Sequence, residues 1–142
     1  AWFSEFPALA EVLVELPPES RPVLHALDVA LERHGLRAHA YGSAGWQRLT
    51  GLTYRHARSD LDLWMAVDDP AQADVASRLL QACPDRVRLD GELVFADGGA
   101  VAWREWAAWR EGRSAQVLVK RLHGLTLESS PALPSTTVPC LA

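Results

Sequence analysis

The chain has 142 residues, of which 49% are hydrophobic and 23% are charged, and this is the composition of a single globular domain. Its net charge of −4 argues against a nucleic-acid-binding protein, and no apolar run is long enough to span a membrane. Two cysteines without metal-ligand spacing argue against a disulfide framework, so we expect a cytoplasmic location. The chain begins with Ala1, and we expect it to be a fragment or a processed chain.

The N-terminal half is predicted to alternate between helices and strands. Residues 1–19 end in two prolines and are interpreted as an N-terminal arm or a short helix. Apolar residues recur at helical spacing over residues 21–34, which predicts an amphipathic helix capped by Ser20. The elements predicted next are a strand at 36–41, a short helix at 44–49, a strand at 61–67 and a helix from Pro70 to about Ala82, capped by Asp68 or Asp69.

The C-terminal half is predicted to add strands to the same sheet. Its elements are a strand at 87–95, a hairpin turn at 97–99 into residues 100–103, a helix at 105–111, a strand at 115–122 and an extension of the sheet at 125–127. Residues 129–142 are rich in Ser, Thr and Pro and are predicted to be a mobile tail. We therefore expect an α/β or α+β domain over residues 20–128, with a mixed β-sheet flanked by helices.

Two aspartates on the second predicted strand are the strongest chemical signal in the sequence. In Ser59-Asp60-Leu61-Asp62-Leu63, acidic and apolar residues alternate, so both carboxylates project from one face of the strand. Adjacent carboxylates repel each other unless a cation lies between them. Oxygen ligands suit a hard cation, so Asp60 and Asp62 are predicted to bind Mg²⁺ or Mn²⁺ together with substrate phosphates. A solvated acidic strand face is the alternative interpretation.

A third acid is expected on the next predicted strand. Arg88, Asp90, Glu92 and Val94 share one parity, so either Asp90 or Glu92 can face the aspartate pair. Three convergent carboxylates are typical of a two-metal phosphoryl-transfer site. In such a site the third acid holds a second metal or acts as the general base.

A glycine–serine turn and nearby basic residues are predicted to bind phosphate groups. Gly42 allows close approach of phosphates, and Ser43 can donate a hydrogen bond to one of them. The loop before the aspartates is basic, and Arg58 in this loop is predicted to contact a polyphosphate. Lys120, at the end of a predicted strand, is a further candidate for phosphate binding. The alternatives are a solvated basic loop and an exposed lysine at a strand end.

The constellation resembles the nucleotidyltransferase superfamily, whose signature is Gly-Ser after an apolar residue, a strand bearing Asp-x-Asp and a third acid on a later strand. Longer segments resemble one family within it, the malonate decarboxylase holo-acyl-carrier-protein synthases, which are phosphoribosyl-dephospho-CoA transferases. These segments lie within about residues 20–122 and are Tyr-Gly-Ser-Ala-Gly-Trp-Gln-Arg-Leu-Thr-Gly-Leu (41–52), Ser-Asp-Leu-Asp-Leu (59–63), Arg-Leu-Asp-Gly-Glu-Leu-Val-Phe (88–95), Ala-Val-Ala-Trp-Arg-Glu-Trp (100–106) and Val-Leu-Val-Lys (117–120).

The resemblance implies transfer of the 2′-(5″-phosphoribosyl)-3′-dephospho-CoA group. The donor would be its triphosphate form, triphosphoribosyl-dephospho-CoA, and the acceptor a serine of the apo acyl-carrier subunit of malonate decarboxylase, with release of pyrophosphate. The resemblance also implies that Asp60 and Asp62 hold the metal and that Asp90 matches the third acid better than Glu92 does. Members of the family carry a further N-terminal region, which we expect to be missing or shortened here.

Two other functions stay open at this point. One is a different nucleotidyltransferase that uses ATP or another nucleoside triphosphate with the same metal site. The other is a catalytically silent interaction domain of the same fold. The choice of donor separates the first alternative from the transferase, and the absence of Mg²⁺ binding would favour the second.

Overall fold

Six β-strands form one mixed sheet in the computed structural model of the chain, which describes residues 6–41, 61–121 and 124–128. The strands are β1 (Ala38–Tyr41), β2 (Leu61–Ala66), β3 (Leu89–Val94), β4 (Ala100–Ala102), β5 (Val117–Arg121) and β6 (Gly124–Glu128). They lie side by side in chain order, and every neighbouring pair is antiparallel except β2 and β3, which are parallel. The predicted α+β fold with a mixed sheet is confirmed.

The described residues also contain four α-helices that flank the sheet. They are α1 (Leu9–Val12), α2 (Arg21–Arg33), α3 (Pro70–Gln81) and α4 (Trp103–Arg110), and two short 3₁₀ helices at Leu13–Glu15 and Pro18–Ser20 connect α1 to α2. Asp69 caps α3 as predicted, because its Oδ1 accepts a hydrogen bond from the backbone N–H of Gln72 at 2.8 Å. Ser20 precedes α2, but its side chain makes no capping hydrogen bond within the described ranges.

The parallel pairing of β2 and β3 depends on α3. Parallel neighbours need a crossover connection, and α3 supplies it between the end of β2 and the start of β3. The register places Leu61 opposite Leu89 and Asp62 opposite Asp90. The crossover therefore determines which residue of β3 lies beside each residue of β2.

The helices cover one face of the sheet and form the hydrophobic core with it. The fully buried side chains include Leu9, Leu24, Leu31, Leu63, Met65, Leu93, Val101, Trp106, Val117 and Val119. Along β2 and β3 the alternate residues point away from this core and include Asp62, Asp90 and Glu92. Trp103 and Trp106 lie in the core and Trp109 packs against it.

A polar contact joins α3 to α4 at the edge of the core. Asp74 accepts a hydrogen bond from Trp106 Nε1 at 2.9 Å and two from the Arg110 guanidinium, at 2.9 and 2.8 Å. The hydrogen bond from Arg110 to Asp74 also raises the pKa of the arginine. The buried indole N–H thus has an acceptor, which a buried tryptophan normally requires.

The segment predicted as an N-terminal arm packs against the sheet. Leu9 and Val12 on α1 are fully buried, and the backbone N–H of Ala40 donates to the carbonyl of Pro7 at 2.9 Å. The helix predicted at 105–111 begins earlier, at Trp103, which directly follows β4. The short helix predicted at 44–49 and the tail predicted at 129–142 lie outside the described residues.

Gly91 allows β2 and β3 to approach closely beside the acidic residues. Its φ is +147°, and a Cβ added there would lie 1.8 Å from the carbonyl oxygen of Leu63. Real Cβ atoms essentially never approach closer than 3.0 Å, so no larger residue fits this backbone. Gly91 lies between Asp90 and Glu92, and it therefore fixes the local course of the strand that carries both acids.

Candidate functional site

Three carboxylates and a tyrosine lie on the face of the sheet opposite the hydrophobic core. Asp62 on β2 is in register with Tyr41 on β1 and with Asp90 on β3. Glu92 follows Asp90 at the same parity and pairs with Trp64 of β2. Residues directly opposite in neighbouring strands project from the same face, so the three acids share one surface of the sheet.

The Tyr41 side chain lies within the electrostatic influence of the three acids. Its pKa is raised mainly by burial, and the negative charges of Glu92, Asp62 and Asp90 raise it further. All three carboxylates therefore act on one point of the surface. The tyrosine stays a neutral hydrogen-bond donor at physiological pH, and the surface around it attracts cations.

Glu92 forms an ion pair with a residue of another strand of the sheet. One of its oxygens pairs with the ammonium group of Lys120 on β5, reaching across β4. Its other oxygen, Oε2, is buried and has no hydrogen-bond partner among the described residues. Lys120, predicted to bind phosphate, is thus held by a carboxylate, although about half of its side chain is exposed.

Asp90 is the more accessible of the two candidates for the third acid. Its side chain is exposed, and its Oδ1 accepts a hydrogen bond from the backbone N–H of Gly91 at 2.8 Å. This hydrogen bond orients the carboxylate without neutralising its charge. Because Asp90 is directly opposite Asp62, the geometry favours Asp90 over Glu92 as its partner.

An aromatic pair that sequence reasoning missed borders the acids. The rings of His39 and Trp64 stack with their centroids 4.6 Å apart and an interplanar angle of 15°. His39 Nδ1 lies 3.2 Å from the carbonyl oxygen of Phe6, which links the pair to the N-terminal segment. Trp64 has the parity of Asp62 on β2, so the strand alternation was the available signal.

Several predicted site residues lie outside the described part of the chain. These are Gly42, Ser43, Arg58 and Asp60. Within residues 6–41, 61–121 and 124–128, no group of three His, Cys, Asp or Glu side chains is arranged to hold a metal ion. The described residues alone therefore do not form a complete metal site.

A cleft with basic walls adjoins this surface and was not predicted from the sequence. Its volume is about 710 Å³, and its lining includes Asp90, Trp103, Arg104 and Arg113. Asp90 thus belongs both to the acidic surface and to the cleft. None of the helices in the described ranges has the length and hydropathy needed to cross a bilayer.

Comparison with known proteins extends the resemblance over most of the chain. Residues 8–131 match the family described as phosphoribosyl-dephospho-CoA transferase MdcG, C-terminal domain. The phosphoribosyl-dephospho-CoA transferase of Xanthomonas campestris pv. campestris (strain 8004) is 43% identical over 128 residues, which cover 89% of this chain and 58% of that protein. No solved structure matches the chain.

More distant relatives carry the same name. The phosphoribosyl-dephospho-CoA transferase of Bradyrhizobium diazoefficiens is 40% identical over 126 residues, with 85% of this chain and 53% of that protein covered. The phosphoribosyl-dephospho-CoA transferase of Pseudomonas putida is 37% identical over 116 residues, which cover 78% of this chain and 53% of that protein. The chain spans about half the length of the curated relatives it matches. On this similarity, and as the resemblance predicted, the chain belongs to the phosphoribosyl-dephospho-CoA transferase family and corresponds to its C-terminal domain.

Proposed function

We propose that this chain carries the transfer centre of a phosphoribosyl-dephospho-CoA transferase. The reaction moves the 2′-(5″-phosphoribosyl)-3′-dephospho-CoA group from its triphosphate precursor to a serine of the apo acyl-carrier subunit of malonate decarboxylase. The serine oxygen attacks the α-phosphorus, a phosphodiester forms and pyrophosphate leaves. The observation that supports this most is the register of Asp62 with Asp90 on the sheet face opposite the hydrophobic core, in a chain of this family.

In this proposal the site holds a divalent cation, Mg²⁺ or Mn²⁺. Asp62 and Asp90 offer carboxylate oxygens on neighbouring strands, and the buried Oε2 of Glu92 lacks a partner among the described residues. Asp62 would hold the ion together with Asp60, which leaves the Asp90 carboxylate available to accept a proton. The bound cation would neutralise the triphosphate and stabilise the charge that develops on its oxygens.

The side chains of this site have separate roles in the proposed reaction. The Asp90 carboxylate, oriented by the Gly91 N–H, accepts the proton of the acceptor serine. Tyr41, whose pKa is raised, stays protonated and donates a hydrogen bond to a phosphate oxygen. Lys120, paired with Glu92 and about half exposed, is a further phosphate contact in this proposal. Gly42, Ser43 and Arg58 complete the phosphate contacts in this proposal.

An intact-mass assay tests the reaction. The chain is mixed with apo acyl-carrier subunit, Mg²⁺ and triphosphoribosyl-dephospho-CoA, and the carrier is expected to gain the mass of the phosphoribosyl-dephospho-CoA group. Asp62→Asn and Asp90→Asn should each lower the rate by at least about 100-fold, as expected for loss of a metal ligand or general base. Asp68→Asn, at an exposed aspartate beyond the other end of β2, is the matched control and should keep the rate.

The outcomes separate the alternatives. Normal transfer by Asp62→Asn would contradict the metal site. Transfer from ATP or another nucleoside triphosphate, but not from triphosphoribosyl-dephospho-CoA, would assign the chain to a different nucleotidyltransferase. Absence of both transfer and Mg²⁺ binding would favour an interaction domain. We propose the cytoplasm as the location, since the spacing of the two cysteines does not indicate a disulfide framework.

A further inference from the structure

The cleft beside Asp90 has the features of an anion-binding site. It lies between the C-terminal end of α3, the start of β3 and α4, and three arginines, Arg88, Arg104 and Arg113, contribute to its lining. Asp85 and Asp90 are the acids of the lining, so the arginines are in excess. A volume of about 710 Å³ is in the range of pockets that hold nucleotide-sized ligands.

Arg104 is held in place by an aromatic ring and a backbone carbonyl oxygen. Its guanidinium carbon lies 4.5 Å from the centroid of the Trp103 ring, and its Nη2 donates to the carbonyl oxygen of Leu89 at 2.7 Å. No carboxylate in the described ranges forms an ion pair with it. A fixed guanidinium whose charge is not paired is suited to bind a phosphate through two parallel hydrogen bonds.

Two further groups in the lining are suited to an acidic ligand. Arg113 is oriented by Glu111, with an N–O distance of 2.7 Å, and more than half of its side chain is exposed. Trp103 is only 4% exposed, and its Nε1 is a buried donor without a hydrogen-bond partner in the described part of the chain. A buried donor of this kind is destabilising unless an acceptor is supplied.

We propose that this cleft binds the dephospho-CoA portion of the donor, with its diphosphate against Arg104 and Arg113. This inference rests on the proposed function, because the donor then carries two separate anionic groups. The reacting triphosphate belongs at Asp62 and Asp90, where a cation would neutralise it, whereas the diphosphate needs cationic partners elsewhere. Asp90 borders both places, so one donor molecule reaches from the cleft to the acids.

The apolar part of the lining suits the rest of this group. Leu80, Val87 and Leu89 are mostly buried residues of the cleft wall, and the Trp103 ring is covered by the Arg104 guanidinium. The parts of the three aliphatic side chains that reach the cleft can contact the pantetheine arm or the adenine ring, neither of which is charged. The cleft therefore combines two guanidinium groups with an apolar wall, as a coenzyme-A-like ligand requires.

Calorimetric titration with 3′-dephospho-CoA alone tests the inference without requiring transfer. Arg104→Gln and Arg113→Gln should each raise the Kd about tenfold, which is the effect of losing one charge-assisted hydrogen bond. Arg33→Gln, at an exposed arginine on α2 outside the cleft, should leave the Kd unchanged. Arg104→Lys keeps the positive charge but loses the planar guanidinium that can donate two parallel hydrogen bonds, and it should give an intermediate Kd. Circular dichroism establishes that each variant is folded.

One comparison ligand identifies which part of the donor is bound. Pantetheine lacks the diphosphate, so its weaker binding should not change in Arg104→Gln. An unchanged Kd in both arginine variants, or an equal loss of binding for pantetheine, would overturn the assignment. So would an arginine effect confined to the KM for the acyl-carrier subunit, which would make the cleft a protein-docking surface.

Failure of this inference is distinguishable from failure of the proposed function. Asp62→Asn should abolish transfer while its Kd for 3′-dephospho-CoA stays within about twofold of the wild-type value, because the residue lies outside the cleft lining. If transfer is absent but arginine-dependent binding of 3′-dephospho-CoA is present, the assignment of the cleft is supported and the proposed reaction is wrong. If transfer occurs and the arginine variants bind normally, the cleft assignment alone is wrong.

Discussion

Gly91→Ala should separate strands β2 and β3 and displace the acidic residues that they carry. The added methyl group would lie 1.8 Å from the Leu63 carbonyl oxygen, so the two strands must move apart by more than an ångström. That movement breaks about two ladder hydrogen bonds, at roughly 1 kcal/mol each, and adds about 1–3 kcal/mol of overpacking. We expect the free energy of unfolding to fall by about 3–5 kcal/mol.

Gly98→Ala is the matched control for this prediction. Gly98 also has a positive φ, of +86°, but a Cβ there would meet nothing within 4 Å. Only backbone strain is added, so its free energy of unfolding should fall by about 1–2 kcal/mol. Urea unfolding followed by tryptophan fluorescence measures both variants. Equal losses of stability in the two variants would refute the close approach of β2 and β3 at Gly91.

Two further predictions concern the core. Asp74→Ala removes the acceptor of the buried Trp106 N–H and of Arg110, and it should lower the free energy of unfolding by about 2 kcal/mol. Asp85→Ala, at an exposed aspartate, should change it by less than about 0.5 kcal/mol, and similar losses in the two variants would contradict the role of Asp74. Asp28 has a raised pKa in the folded chain, mainly because burial disfavours its charge and also because Glu32 is near. The folded state therefore holds this proton more tightly, so the contribution of Asp28 to stability is largest below pH 3.8 and is lost as the pH rises through the folded pKa. Asp28→Asn should accordingly be more stable than the wild type at pH 7, with a difference that shrinks towards pH 3 in urea titrations, and a pH-independent difference would contradict this assignment.

Local patterns in the sequence predicted most of the secondary structure. Asp69 and Pro70 mark the start of α3 because the side-chain acceptor and the missing N–H act within one helical turn. The hairpin between β3 and β4 follows the Asp97-Gly98-Gly99 turn for the same local reason. The packing of α1 was harder to predict, because the burial of Leu9 and Val12 depends on the distant strand β1.

The candidate site was predictable only in part, since it depends on pairing between distant segments. Strand alternation placed Asp62 and Asp90 each on one face of its own strand, but it did not specify their shared register. The ion pair of Glu92 with Lys120 requires that β3, β4 and β5 lie in this order. The cleft was not predicted because its three arginines come from separate segments of the chain. Arg88 lies just before β3 and Arg113 just after α4, so neither belongs to the pattern of a helix or strand.

The order of the strands has a consequence for how the chain folds. Each strand pairs with its neighbour in sequence, so the sheet can grow one strand at a time, and the β3–β4 and β5–β6 hairpins need only short loops to close. The β2–β3 pairing must wait for residues 67–88 to close a longer loop and for α3 to dock. The acidic surface and the cleft both depend on that step, and we expect them to appear late in refolding, after the hairpins have formed.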